Sequence, residues 1–405
     1  MPAVEICPNV YWIGVNDRTT DLFEGIWPIS HEGVSYNAYL IDDEKKAILD
    51  LAKAFKTDEF FEAIGEIADI GSLDYVVIHH LEPDHSGVLS TLIRIAPKIT
   101  LLCSEKCKEM LASFYGITEN VRAVKDGETI SLGKHTLQFF MTPHVHWPET
   151  MMTYESENQI LFSCDAFGGY GALRGTIFDD QCTDHSFYET EALRYYVNIV
   201  AKFSGPVLRA IEKLSGLDVR IIAPSHGLIW RKDPGRIVHL YKTWAGYAGN
   251  PGEPGITLMY ASMYGNTEKM MNAVAQGISG TGAEIEIFDV ARTHVSYILP
   301  SLWTKSGVVI GAPTYEGSLF PLMIDVLNMV AVKHIRKKRA AVFGSYGWSG
   351  GAQRGLEKRF ESLQWELMDQ FEFCGAPTAG DIRQGVEFGR KFGEIISGGS
   401  AREDA

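Results

Sequence analysis

Two α/β domains in tandem are predicted for this 405-residue chain, and three observations carry the prediction. Apolar runs of strand length repeatedly end in polar loops. Helical stretches separate many of those runs. One segment, Gly249-Asn250-Pro251-Gly252-Glu253-Pro254-Gly255, interrupts the pattern with residues that stop both helices and strands, so it reads as a linker. The length is large for one core and comfortable for two. The expected division is 1–250, a linker at 251–255, a second domain at 256–398 and a disordered tail at 399–405.

In the first domain, Val10 to Val15, Ser35 to Ile41 and Ala47 to Asp50 are expected as short strands, and Thr57 to Ile67 as a helix. The apolar run Tyr75-Val76-Val77-Ile78 follows, then a helix from Glu105 to Tyr115 and strands up to Asp165. Helices around Glu189 to Lys202 and Pro206 to Leu214 precede a strand from Arg220 to Ser225. Strands with chemistry at their ends and helices outside suit a sandwich covered on both faces.

His80-Leu81-Glu82-Pro83-Asp84-His85 packs four metal-binding side chains into six residues directly after the run at 75–78. In an extended segment alternate residues share a side. His80, Glu82 and Asp84 are therefore expected to converge, with His85 turning in from the next helix. Without a metal, such a cluster of buried ionisable groups would cost several kcal/mol in desolvation. Zinc hydrolases carry His-x-His-x-Asp-His here; Glu82 stands where the second histidine would be, and harder oxygen donors favour iron or manganese. Further candidate ligands close later apolar runs, where a rigid scaffold usually carries its chemistry: His146, Asp165 and His226. His79 is one strand step out of phase with His80, and His144 stands two positions before His146; supporting or structural roles are expected for both.

With these residues the chain resembles the flavodiiron proteins, in which a metallo-β-lactamase-like domain is fused to a flavodoxin and reduces dioxygen or nitric oxide. The resemblance covers nearly the whole chain. It implies an N-terminal αββα sandwich and a C-terminal doubly wound parallel sheet. It also implies two irons, one held by His80, Glu82 and His146, the other by Asp84, His85 and His226, with Asp165 bridging them.

The second domain opens with the strand-like run Ile256 to Ala261, then Ser262-Met263-Tyr264-Gly265-Asn266-Thr267 and a helix from Glu268 to about Ser279. Hydroxyls and free N–H groups at a helix N-terminus cradle phosphate. Neither a Walker loop nor Gly-x-Gly-x-x-Gly is present, and the segment resembles the FMN phosphate loop of flavodoxins. Two further strand-end loops, Pro313-Thr314-Tyr315-Glu316-Gly317 and Ser345-Tyr346-Gly347-Trp348-Ser349-Gly350, would flank the isoalloxazine at the carboxyl ends of an open sheet.

The formal net charge of −14 disfavours nucleic acid as a partner. No run of eighteen uncharged apolar residues suggests a membrane span, and no basic region followed by an apolar core marks the N-terminus, so a cytoplasmic protein is expected. Cys7, Cys103, Cys107, Cys164, Cys182 and Cys374 include no Cys-x-x-Cys pair and read as reduced thiols; Cys103 and Cys107 could share a helix face.

The resemblance implies an oxidoreductase that passes electrons through FMN to the irons and reduces dioxygen to water, with nitric oxide as the alternative substrate. Relatives use rubredoxin or, in methanogenic archaea, a reduced deazaflavin coenzyme as donor, and general likeness inclines toward the latter group. The rivals are a zinc hydrolase with an accessory flavodoxin module, which Glu82 opposes, and a pure electron carrier, which the full ligand set opposes. Trp147 and Tyr195 are candidates to line the metal pocket, Tyr195 as a hydrogen-bond donor, although packing is the commoner role of such aromatics. A first domain of about 250 residues has a radius of gyration near 18 Å and spans roughly 40 Å, too far for rapid electron transfer. A head-to-tail homodimer is therefore expected, with each FMN beside the partner's irons, and a dimer of dimers as the next symmetric assembly.

Overall fold

The structure, a computed structural model, describes residues 1–398; the tail expected at 399–405 lies outside the described residues. The chain divides after Ala245 into the units Met1–Ala245 and Gly246 onward. The linker expected at 251–255 is shorter than that, because the first strand of the second unit starts at Glu253 rather than Ile256. Glu253 already pairs with Lys305, and a bulge before Ile256 takes up Pro254 and Gly255, the kind of position where a ladder tolerates proline. Lys338 Nζ donates to Pro251 O at 2.7 Å, tying the preceding residues to the sheet.

The first unit is built on two sheets. One has seven strands in the order Val4–Cys7, Val10–Trp12, Tyr39–Ile41, Ala47–Leu49, Tyr75–Val77, Thr100–Cys103 and Val121–Ala123. The other has five, in the order Thr129–Ser131, Thr136–Met141, Met151–Glu155, Ile160–Cys164 and Ile221–Pro224. Ala47, Ile48 and Leu49 are all buried, as a strand covered on both faces requires. The strand expected over 35–41 is two strands, Val34–Tyr36 and Tyr39–Ile41. Asn37 breaks it: its amide nitrogen donates to Pro224 O and Gly227 O, both at 2.9 Å, and its Oδ1 accepts from Trp12 Nε1. With Tyr39 Oη donating to Pro224 O at 2.6 Å, these bonds stitch the ends of the two sheets together.

The helix Glu105–Tyr115 falls where expected, capped by the Ser104 hydroxyl, which accepts from Cys107 N, and ended by Gly116 at φ 68°. The helix expected over 189–202 starts earlier, at His185, where the Asp184 side chain caps it, and after Tyr195 it widens into a π-helical turn, Tyr196–Val200.

The second unit is a parallel sheet in the order Ile285–Asp289, Glu253–Tyr260, Lys305–Tyr315, Arg339–Tyr346 and Glu366–Cys374. The order reverses beside the first strand, the mark of a doubly wound fold with its ligand crevice at the carboxyl ends. Ile256 and Leu258 face a core shared with the helices Asn266–Ser279 and Ala379–Ile396. Thr257, on the other side, meets Ser301 of the helix Val295–Thr304, oxygen to oxygen at 2.8 Å. Among the described residues, no helix is long and apolar enough to cross a membrane.

Candidate metal centre and flavin site

His80 leaves the strand Tyr75–Val77 by way of Ile78, whose amide still donates to Leu102 O at 2.8 Å. The following residues do not stay extended. Pro83 opens a short helix, Pro83–Ser86, which carries Asp84 and His85 together. His80 and Glu82 therefore meet His146 and Asp165, whereas Asp84 and His85 meet His226, the same division that the family resemblance implies.

Asp165 stands between the two groups. Its Oδ2 lies 3.4 Å from His146 Nε2 and 3.6 Å from His80 Nε2, and its Oδ1 lies 3.0 Å from His85 Nε2 and 3.3 Å from His226 Nε2. Glu82 Oε2 is 3.1 Å from His80 Nε2 and 3.2 Å from His146 Nε2. Asp84 offers Oδ1 to His85 at 3.5 Å and Oδ2 to His226 at 3.4 Å. Every imidazole turns Nε2 inward.

The opposite ring nitrogens are held where bonds are seen. His80 Nδ1 donates to Glu149 Oε1 at 2.7 Å, and His226 Nδ1 donates to Ser35 O at 2.7 Å. His79 faces away, with Nδ1 2.8 Å from Asp50 Oδ2 and Nε2 2.7 Å from Thr153 Oγ1. His144 is exposed and stacks on Phe203. Sequence reasoning missed Glu149 and Asp50. The available signal was a carboxylate in each of two otherwise apolar stretches, at a strand end for Asp50 and beside Trp147-Pro148 for Glu149.

Both oxygens of Asp84 and of Asp165, and Nε2 of His85 and His226, are buried without a hydrogen-bond partner. Buried polar atoms left unpaired are rare because each is costly. Burial raises the carboxyl of Asp165, yet the charge of His85 holds it well below the usual range; Glu82 is likewise lowered, by His146 and His80. Burial lowers the imidazole of His85, but Asp84 and Asp165 push it up to about 10. Burial raises the carboxyl of Asp84 instead, so Asp165 and Glu82 are the anions that face the inward-turned imidazoles, in a cavity that suits positive charge. Two metal cations fit it, and three carboxylates among the donors suit iron better than zinc.

Trp147 stands edge-on to His80 with ring centroids 4.8 Å apart, and Tyr195 packs against His226 at 5.4 Å. Tyr195 is buried and reaches the site as an aromatic wall, beside Phe23 and Tyr170. Cys103 and Cys107 lie on a strand end and the following helix rather than on one helix face, and the Cys107 thiol is pushed up by its hydrogen bond with Cys103 and by burial.

In the second unit, the three predicted loops surround one cavity of about 490 Å³, a size usual for a cofactor. All the predicted loop residues line it except Gly265 and Gly350, and Gly375 joins them. Gly265 works from behind: at φ 85° it turns the chain into the helix Asn266–Ser279, and its amide donates to Ser262 Oγ at 3.0 Å. Gly350 faces Glu372, whose Oε2 would lie 2.9 Å from any Cβ added there. Thr267 Oγ1 and Ser345 Oγ, 2.8 Å apart, join the phosphate-side loop to the third loop. First-turn N–H groups at Asn266 and beyond suit a phosphate, and Tyr264, Tyr315 and Trp348 offer ring faces at the rim. Phosphate cradle, aromatic rim and volume fit FMN.

The N-terminal unit matches the ODP family beta-lactamase domain over residues 34–227, and the second unit matches flavodoxin over residues 258–389. The chain is 34% identical over 399 residues to a nitric oxide reductase of Moorella thermoacetica, covering 97% of this chain and 99% of that one. It superposes on rubredoxin oxygen:oxidoreductase from Desulfovibrio gigas with a TM-score of 0.92 at 29% identity, over 98% of this chain and 100% of that one. The flavodiiron protein of Giardia intestinalis gives a TM-score of 0.91 at 29% identity, over 98% and 97%. Read with the two sites, these similarities make the chain a member of the flavodiiron protein family, an oxidoreductase that carries FMN in its flavodoxin unit together with a diiron centre.

Proposed function

We propose that this chain reduces dioxygen to water. In this reading His80, Glu82 and His146 hold one iron, Asp84, His85 and His226 hold the other, and Asp165 bridges them. The observation that supports it is the split of Asp165, whose Oδ2 faces one pair of imidazoles and whose Oδ1 faces the other. When bound, FMN would accept electrons in pairs and release them singly, and two irons would supply single-electron redox chemistry to a small molecule. The chain's own residues do the rest. Three carboxylates offset the charge of the metals, while Trp147, Tyr195 and Phe23 keep the pocket dry. Tyr264, Tyr315 and Trp348 would line the flavin ring, and the first turn after Gly265 would take its phosphate.

The test is an oxygen electrode with reduced protein. About four electrons should be consumed per dioxygen, with little peroxide released. Peroxide as the main product would mean flavin autoxidation, and one zinc with no iron in the purified protein would return the hydrolase reading. Nitric oxide is the second reading, supported by the identity with the Moorella protein named for that activity; faster consumption of nitric oxide than of dioxygen would put it first.

For the donor we propose a rubredoxin-type protein, supported by the name of the Desulfovibrio relative, with reduced deazaflavin coenzyme as the other arm of the same assay. All six cysteines are free, which suits a reducing compartment and a cytoplasmic location. A head-to-tail homodimer belongs to the same proposal.

A further inference from the structure

Given the division of ligands proposed above, we infer that Glu149 makes the two metal positions unequal, so that the position of His80, Glu82 and His146 grips its metal more tightly than that of Asp84, His85 and His226. The two backing bonds have the same length and different chemistry. His80 Nδ1 donates to a carboxylate, Glu149 Oε1, at 2.7 Å, whereas His226 Nδ1 donates to a neutral carbonyl, Ser35 O, at 2.7 Å. An imidazole whose N–H points at an anion has a more electron-rich opposite nitrogen, and such partners are worth 10–100-fold in metal affinity.

Glu149 is built for this task. It is 1% exposed, the same Oε1 accepts from Leu81 N at 3.1 Å, and its backbone carbonyl accepts from Ser104 Oγ at 2.7 Å. Its Oε2 has no hydrogen-bond partner, so the carboxylate serves His80 and one amide. Asp50 is as deeply buried and its charge is felt by His85, but no hydrogen bond joins it to a ligand of the other position. Its oxygens accept from His79 N, His79 Nδ1 and Ser225 Oγ, none of which is a ligand. Glu149 also follows His146 by three residues, so one loop supplies both a ligand and the support of its neighbour.

The experiment loads the full, FMN-containing chain with cobalt(II) in place of iron and follows release into excess chelator. The wild type should lose metal in two phases, and Asp84→Ala should retain only the slow one. Glu149→Gln keeps the shape and an acceptor oxygen but removes the charge. It should speed the slow phase by roughly 10–100-fold, leave the fast phase in place, and alter the cobalt absorption of the slow position alone. Both phases quickening together would reveal general loosening and overturn the inference, as would no change in either. If His80→Ala abolished the fast phase instead of the slow one, the ligand division itself would be wrong, a failure separable from that of Glu149.

Discussion

Asp165 presents Oδ1 to His85, 3.0 Å from its Nε2, at a distance where a hydrogen bond would be expected, yet neither atom makes one. A cation shared by both would satisfy them. Asp165→Asn should therefore empty both metal positions while His80→Ala empties chiefly one. Elemental analysis after dialysis checks this, with circular dichroism to confirm that the fold survives. Full iron in Asp165→Asn would remove the bridging role.

Flavin binding should be separable from the metals, since every residue lining the cavity comes after 261. Trp348 is 94% exposed, and stacking a flavin ring on such a face is worth up to about 1.5 kcal/mol. Trp348→Ala should weaken FMN roughly tenfold at unchanged iron content, read by flavin fluorescence on dilution. His80→Ala should leave FMN fully reducible. Loss of flavin from His80→Ala would contradict the independence of the sites.

The metal row was legible because His80, Glu82, Asp84 and His85 are close in sequence and their types announce coordination; the flavin loops were legible because each follows a buried strand. What could not be read was pairing across distance. His80 meets Glu149 across 69 residues and His226 meets the Ser35 carbonyl across 191, and a backbone carbonyl leaves no trace in residue type. The grouping of Asp84 with His85 and His226 came from the resemblance, not from strand alternation, because Pro83 favours the first position of a helix and the segment does not stay extended. Pro254 misled at the domain boundary, where a bulge lets a strand start among residues that look like a linker.

Lys338 should make the second unit less stable in neutral than in alkaline solution. Its Nζ is buried among Pro251 O, Trp303 O and Lys305 O at 2.7, 3.1 and 2.8 Å, and burial pushes the ammonium down to about 7. A base with a lowered folded value binds fewer protons folded than unfolded. The cost is complete below about 7 and is lifted as pH rises toward about 10.5, where the unfolded lysine also loses its proton. The three carbonyl acceptors favour the charged form and limit the effect to a few kcal/mol. Denaturant titrations between pH 7 and 10 should show midpoints rising with pH, a trend that Lys338→Met should flatten; a falling midpoint in the wild type would refute the assignment.

Gly389 lets the helices Asn266–Ser279 and Ala379–Ile396 touch backbone to backbone, since a Cβ there would sit 2.0 Å from Val274 O. Neither side can yield by rotating a side chain. Gly389→Ala should destabilise the second unit by about 1–3 kcal/mol or more and lower FMN retention on heating, because the first of these helices carries the phosphate end. Differential scanning with and without FMN measures this; an unchanged melting temperature would show that the helices can separate freely.

The rim of the flavin cavity carries Tyr264 at 90% and Trp348 at 94% exposure, with Tyr315 at 43% and Met263 at 41%. The flavin ring would cover part of these faces. In the proposed head-to-tail dimer a second copy of the chain would lie over the rim and bring each FMN to the partner's irons. Mixing separates this from transfer within one chain. His80→Ala lacks a working metal centre, and a variant with Asn266 and Thr267 replaced lacks FMN, so each alone should be inactive. After subunit exchange, a mixed dimer holds one intact flavin opposite one intact metal pair, and activity should return to a fraction of the wild-type rate. Proven heterodimers without recovery would place electron transfer within a single chain.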